Sequence, residues 1–83
     1  MFDVSLDEKP TAFVARLNRQ TRERVFKKLV TVQNSPFTHF KRLKGRNDYS
    51  LRVGKFRVIA DIDRKTKMVS VTLIGLRKNV YSK

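Results

Sequence analysis

The plainest pattern in the chain is an alternation of side chains just past its middle. Tyr49, Leu51 and Val53 alternate with Ser50 and Arg52; after Gly54-Lys55, Phe56, Val58, Ala60 and Ile62 alternate with Arg57, Ile59, Asp61 and Asp63. A side-chain period of two marks half-buried strands. Glycine at the first central position of a two-residue connection suits a type II′ turn, so the two runs read as a β-hairpin. With Gly54-Lys55 as the turn, Val53 faces Phe56, Arg52 faces Arg57, Leu51 faces Val58, Ser50 faces Ile59 and Tyr49 faces Ala60. Every apolar residue of the first strand then falls on one face, and two arginines oppose each other on the other.

The flanking segments carry their own periods. Phe2, Val4 and Leu6 alternate with Asp3 and Ser5, which predicts a short first strand. Asp7-Glu8-Lys9-Pro10 has the carboxylates and proline of a first helical turn. The helix it opens carries Phe13, Val14 and Leu17. A second helix is expected from Gln20 or Thr21, with Thr21 as cap and Val25, Phe26, Leu29, Val30 and Val32 as its buried stripe. It stops at Asn34-Ser35-Pro36, because the residue before a proline resists the α region. Phe37 to Phe40 reads as a connector. After the hairpin, Arg64-Lys65-Thr66-Lys67 makes a turn and Met68 to Ile74 a last strand, with Val69, Val71 and Leu73 inward and Gly75 letting the chain leave the sheet. The expectation is one α+β domain over residues 1–83. Its small antiparallel sheet has about four strands, the N-terminal strand plus a C-terminal three-stranded meander, with an N-terminal α-hairpin on one face.

Charge changes this picture most. Twenty Lys and Arg against seven Asp and Glu give a net charge of +13, which points to a polyanionic partner, nucleic acid or acidic protein. Seven of the basic residues fall between Lys41 and Arg57. With 40% hydrophobic residues and clear periods, the chain is expected to fold rather than remain a basic tail. It has no cysteine and so neither disulfides nor a thiolate metal site. No apolar run reaches the ~18–20 residues of a membrane span, and the expected location is the cytoplasm.

Candidate chemistry is sparse. The three glycines are isolated, which excludes a glycine-rich phosphate loop. His39 is the only histidine; in a connector beside Phe40 it reads as a surface or packing residue. Asp61 and Asp63 share a strand face without a third ligand and read as solvated, so no metal or other cofactor is expected. What remains is the Arg52–Arg57 pair. Like charges directly opposite each other destabilise a sheet by a few tenths of a kcal/mol up to about 1 kcal/mol. A phosphate between the two guanidinium groups removes that cost; splaying of both side chains into water does so too. The meander also brings Arg77 near this pair. Tyr49 is expected inside, whereas Tyr81 is either a tail residue or a platform for a base.

Leu43-Lys44-Gly45, Tyr49-Ser50-Leu51-Arg52-Val53, Lys55-Phe56-Arg57-Val58-Ile59 and Gly75-Leu76-Arg77-Lys78-Asn79-Val80-Tyr81, in this order and spacing, resemble the RelE/ParE toxin superfamily on its RelE side. The resemblance implies the toxin of a toxin–antitoxin pair that enters the ribosomal A site and cleaves mRNA without a metal. The 2′-hydroxyl attacks the adjacent phosphate and leaves a cyclic phosphate and a 5′-hydroxyl. By motif, Arg57 stabilises the scissile phosphate, and Arg52 is the basic residue two before the hairpin turn. Arg77 serves the leaving oxygen or the phosphate, and Tyr81 stacks on a base. Lys41, Arg42, Lys44, Arg46, Lys55 and Lys78 are the implied RNA contacts.

Two positions depart from the family pattern. Ser50 stands where some members have a lysine, and Leu76 where many have a histidine; neither takes a proton well. Lys44, Lys55, Tyr81 or a water are the candidates left for proton acceptor. The implied partners are the ribosome with its mRNA and an acidic, RelB-like antitoxin. Two alternatives follow from the same residues: a ParE-like inhibitor of DNA gyrase without RNase activity, suggested by the missing base, and a non-catalytic basic RNA-binding or ribosome-associated protein, suggested by composition.

Overall fold

A computed structural model describes residues 1–45 and 47–77. The elements run β1 (Asp3–Leu6), α1 (Glu8–Ala15), α2 (Arg19–Val32), α3 (Pro36–His39), β2 (Lys41–Arg42), β3 (Tyr49–Val53), β4 (Phe56–Asp63) and β5 (Met68–Leu76). The α+β class is as the sequence predicts. The sheet is larger than expected and mixed: its five strands lie in the order β1-β5-β4-β3-β2. β1 runs parallel to β5; the other neighbours are antiparallel. Parallel pairing needs a long crossover connection, and the helices with the first hairpin supply it. The connector expected at Phe37–Phe40 is partly the one-turn helix α3, with Pro36 at its start.

The hairpin register agrees with the sequence reading at all five pairs, from Tyr49↔Ala60 to Val53↔Phe56. Gly54 has φ +57°, as the first central residue of a type II′ turn requires. The helix starts one step earlier than expected. The cap of α2 is Asn18, whose Oδ1 accepts the Thr21 N–H at 2.9 Å, so Thr21 is the capped residue rather than the cap. The end of α1 is closed by a side chain of α2. Arg22 donates from Nε to the Val14 carbonyl at 3.2 Å, and from Nη2 to those of Ala15 at 3.0 Å and Leu17 at 2.7 Å.

The core lies between the helices and one sheet face. Val14, Val25, Leu29 and Val32 meet Leu51, Val53, Val58, Ala60, Ile62, Val69, Val71 and Ile74. The buried line of α2 is Val25, Leu29 and Val32, an i, i+4, i+7 spacing. Phe26 and Val30, expected in that stripe, lie about 100° further round and are 44% and 63% exposed.

β5 also departs from its expected pattern. Ala60 pairs with Val71 but Ile59 pairs with Leu73, so Thr72 is an extra residue, a β-bulge. Beyond it the alternation reverses: Ile74 turns into the core and Leu73 to the opposite face. Gly75, expected to release the chain from the sheet, is instead the partner of Arg57. Among the described residues no helix is long and apolar enough to cross a membrane.

Candidate functional site

The side chains opposite the core on β3 and β4 are Ser50, Arg52, Arg57, Ile59, Asp61 and Asp63. Arg52 and Arg57 are direct cross-strand partners, as the alternation predicts. Ser50 Oγ accepts a hydrogen bond from Arg57 Nη1 at 3.2 Å. The guanidinium is thereby fixed by its own hairpin, and Arg57 Nε is shielded from solvent. Ser50 is only 6% exposed. It holds the arginine at a position where a lysine could not accept this bond.

β2 pairs only with the first two residues of β3, Lys41↔Ser50 and Arg42↔Tyr49. The chain leaves α3 at His39 and becomes extended only at Phe40. Among the described residues no paired strand therefore lies beside Leu51–Val53 on that side. A cleft of about 310 Å³ occupies the edge, lined by Lys28, His39, Lys41, Ser50, Leu51, Arg52 and Arg57. Four cations from four different elements converge there, α2, β2, β3 and β4. In so small a space their fields add, and a bound anion is the natural counter-charge.

Three of the residues expected at the site, Arg52, Arg57 and Lys41, line this cleft together. Arg77 follows β5; its N–H donates to the Lys55 carbonyl at 3.0 Å, and its Nε is buried with no hydrogen-bond partner among the described residues. By register it stands two residues from Gly75, the partner of Arg57. Arg42 and Lys44 line a separate depression with Leu43, Gly45 and Asn47. Lys55 is at the hairpin tip, its Nζ 5.8 Å from the Phe56 ring centroid. Arg46, Lys78 and Tyr81 lie outside the described residues.

Two cleft residues are absent from the sequence reading of the site. Lys28 comes to the cleft from α2, a placement of helix on sheet that the sequence does not show. His39, a surface or packing residue by its sequence context, ends α3 and lines the cleft. The two-residue strand β2 that follows it is too short to give a period in the sequence. Among the described residues no cluster of three or more His, Cys, Asp or Glu stands ready for a metal. Asp63 Oδ1 instead accepts the N–H groups of Lys65 and Thr66 at 2.9 and 3.4 Å in the β4–β5 turn.

No protein-family model matches the chain, and no curated protein matches it significantly. Solved structures do. The isolated RelE toxin of E. coli superposes with a TM-score of 0.78 at 26% identity, over 99% of this chain and 93% of that one. In the intact E. coli RelBE toxin–antitoxin complex the matching chain gives 0.77 at 26% identity, over 92% and 96%. A chain of the RelBE2 toxin–antitoxin complex of Mycobacterium tuberculosis gives 0.81 at 18% identity, over 92% and 98%, a likeness of fold alone. The chain thus has the fold of the RelE toxins over nearly the whole length of both chains, and it is similar to them as a RelE-like toxin.

Proposed function

We propose that this protein is the toxin of a toxin–antitoxin pair and acts as a ribosome-dependent mRNA endonuclease. The observation that carries the reading is the cleft in which Arg52 and Arg57 face each other beside Lys28 and Lys41. Its cations suit a phosphodiester, whose charge grows on the non-bridging oxygens as the 2′-oxygen attacks. Arg57, oriented by Ser50, is pre-set for that charge, which lowers the reorganisation needed in the transition state. Arg52 and Lys41 hold the strand in line, and positioning supplies a further part of the acceleration. The exposed cations of Arg42, Lys44 and Lys55 extend the basic surface for ribosomal RNA, a contact that weakens with salt.

An acidic antitoxin partner is supported by the net charge of +13 and by the RelBE complexes among the matching structures. Action on translating ribosomes places the protein in the cytoplasm. The ParE-like alternative, gyrase inhibition without RNA cleavage, is favoured by one observation: Ser50 is engaged as an acceptor for Arg57 and offers no base.

Primer extension on mRNA bound to programmed ribosomes separates the two. A new 3′ end inside the A-site codon is expected, absent on free mRNA and absent with Arg57→Ala. Intact mRNA together with inhibited supercoiling would establish the alternative.

A further inference from the structure

We infer that His39 is the proton acceptor for the attacking 2′-hydroxyl. The inference rests on the endonuclease reading above and supplies the base that Ser50 and Leu76 do not. The cleft contents make the choice. Lys28 reaches it from α2, Lys41 from β2, Arg52 from β3 and Arg57 from β4; ammonium and guanidinium groups donate hydrogen bonds and accept none. Ser50 is a hydroxyl already accepting from Arg57. The carboxylates of the same sheet face are distant: at about 3.3 Å per residue, Asp61 stands roughly 13 Å along the strand from Arg57. Lys44 lines the other depression and Lys55 lies at the hairpin tip.

His39 is the one histidine of the chain. It ends α3 and lines the cleft with Arg52 and Arg57, half-buried. Imidazole is the side chain that exchanges a proton between about pH 5 and 8. The step balances without a co-reactant. A ring nitrogen of neutral His39 takes the 2′-hydroxyl proton as the O2′–P bond forms. The P–O5′ bond breaks, and the departing 5′-oxygen takes a proton from water. The imidazolium then returns its proton to solvent, leaving a 2′,3′-cyclic phosphate and a 5′-hydroxyl. The four surrounding cations bind the phosphate on which His39 acts.

The test is single-turnover cleavage on programmed ribosomes across pH, with wild type, His39→Gln and His39→Ala, and with ribosome binding measured in parallel. The wild-type rate should rise with pH, as general-base catalysis requires. His39→Gln should lose that rise and fall about 100-fold near neutral pH, while binding ribosomes within about twofold of wild type. Added imidazole should restore part of the activity of His39→Ala. A His39→Gln protein that cuts within about threefold of wild type along the same rising limb overturns the assignment and leaves the nuclease standing. So does an activity loss that tracks lost ribosome binding without imidazole rescue. A wild type that leaves mRNA intact overturns the nuclease reading and the role of His39 with it.

Discussion

Ser50 Oγ accepts a hydrogen bond from Arg57 Nη1 at 3.2 Å, diagonally across the β3–β4 ladder. The serine contributes an orientation, and its loss should appear in rate before it appears in stability. Ser50→Ala removes one charge-assisted bond, a contribution of about 1.5–3 kcal/mol at most. Cleavage is expected to fall about 10-fold, with ribosome binding nearly unchanged. Single-turnover rates beside a urea melt check this; equal cleavage by Ser50→Ala would mean that Arg57 needs no such anchor.

The opposition of Arg52 and Arg57 should be visible as salt-dependent stability. Arg52→Ala removes a like-charge pair at a strand position where Arg52 is exposed. The variant should be as stable as wild type or more so, by up to about 1 kcal/mol. The difference should shrink at high ionic strength, where exposed charges are screened. Urea denaturation at low and high salt measures it. A variant less stable than wild type at both would show that the two side chains splay apart in the free protein.

Arg22 should matter to folding alone. Its guanidinium satisfies the carbonyls of Val14, Ala15 and Leu17 at 3.2, 3.0 and 2.7 Å, acceptors that a helix end otherwise leaves to water. Arg22→Ala is expected to cost about 2 kcal/mol. Arg22→Lys should recover little, because one ammonium does not reproduce the planar fork. Chemical denaturation of the three proteins decides it.

The two faces of α2 invite a paired substitution. Val25 is fully buried and Val30 is 63% exposed. Val25→Ala should cost about 2 kcal/mol, through lost contact and a cavity, and Val30→Ala no more than about 0.5 kcal/mol. Similar losses at the two positions would contradict the rotation of α2 described above.

The hairpin was legible because three signals agree in one short segment: alternation, a glycine where the turn needs positive φ, and partners adjacent in the chain. The opposed arginines follow from that register with no further information. The reversal at Thr72 was not legible, because a bulge is one uncounted residue and Leu73 is as apolar as Ile74. The stripe that the sequence predicts for α2 includes Phe26 and Val30, which the fold leaves exposed. Hydrophobicity marks both, but only packing shows which third of a helix meets the sheet. His39 and Lys28 escaped for a related reason. Each is polar, single in its segment, and brought to the cleft by the placement of one element on another. Arg46, Lys78 and Tyr81, all named from sequence, lie outside the described residues.

The shortness of β2 has a consequence for how the site comes into being. His39, Lys41, Ser50, Arg52 and Arg57 belong to one unbroken stretch, and only Lys28 arrives from elsewhere. Contacts between near neighbours in a chain form early and at small entropic cost. The reactive geometry is thus written into a single local segment, and the remainder of the fold serves as its mount. Changes in α1 or in β5 can weaken the mount considerably while the segment keeps its chemistry, so durability and reactivity can vary separately in this protein.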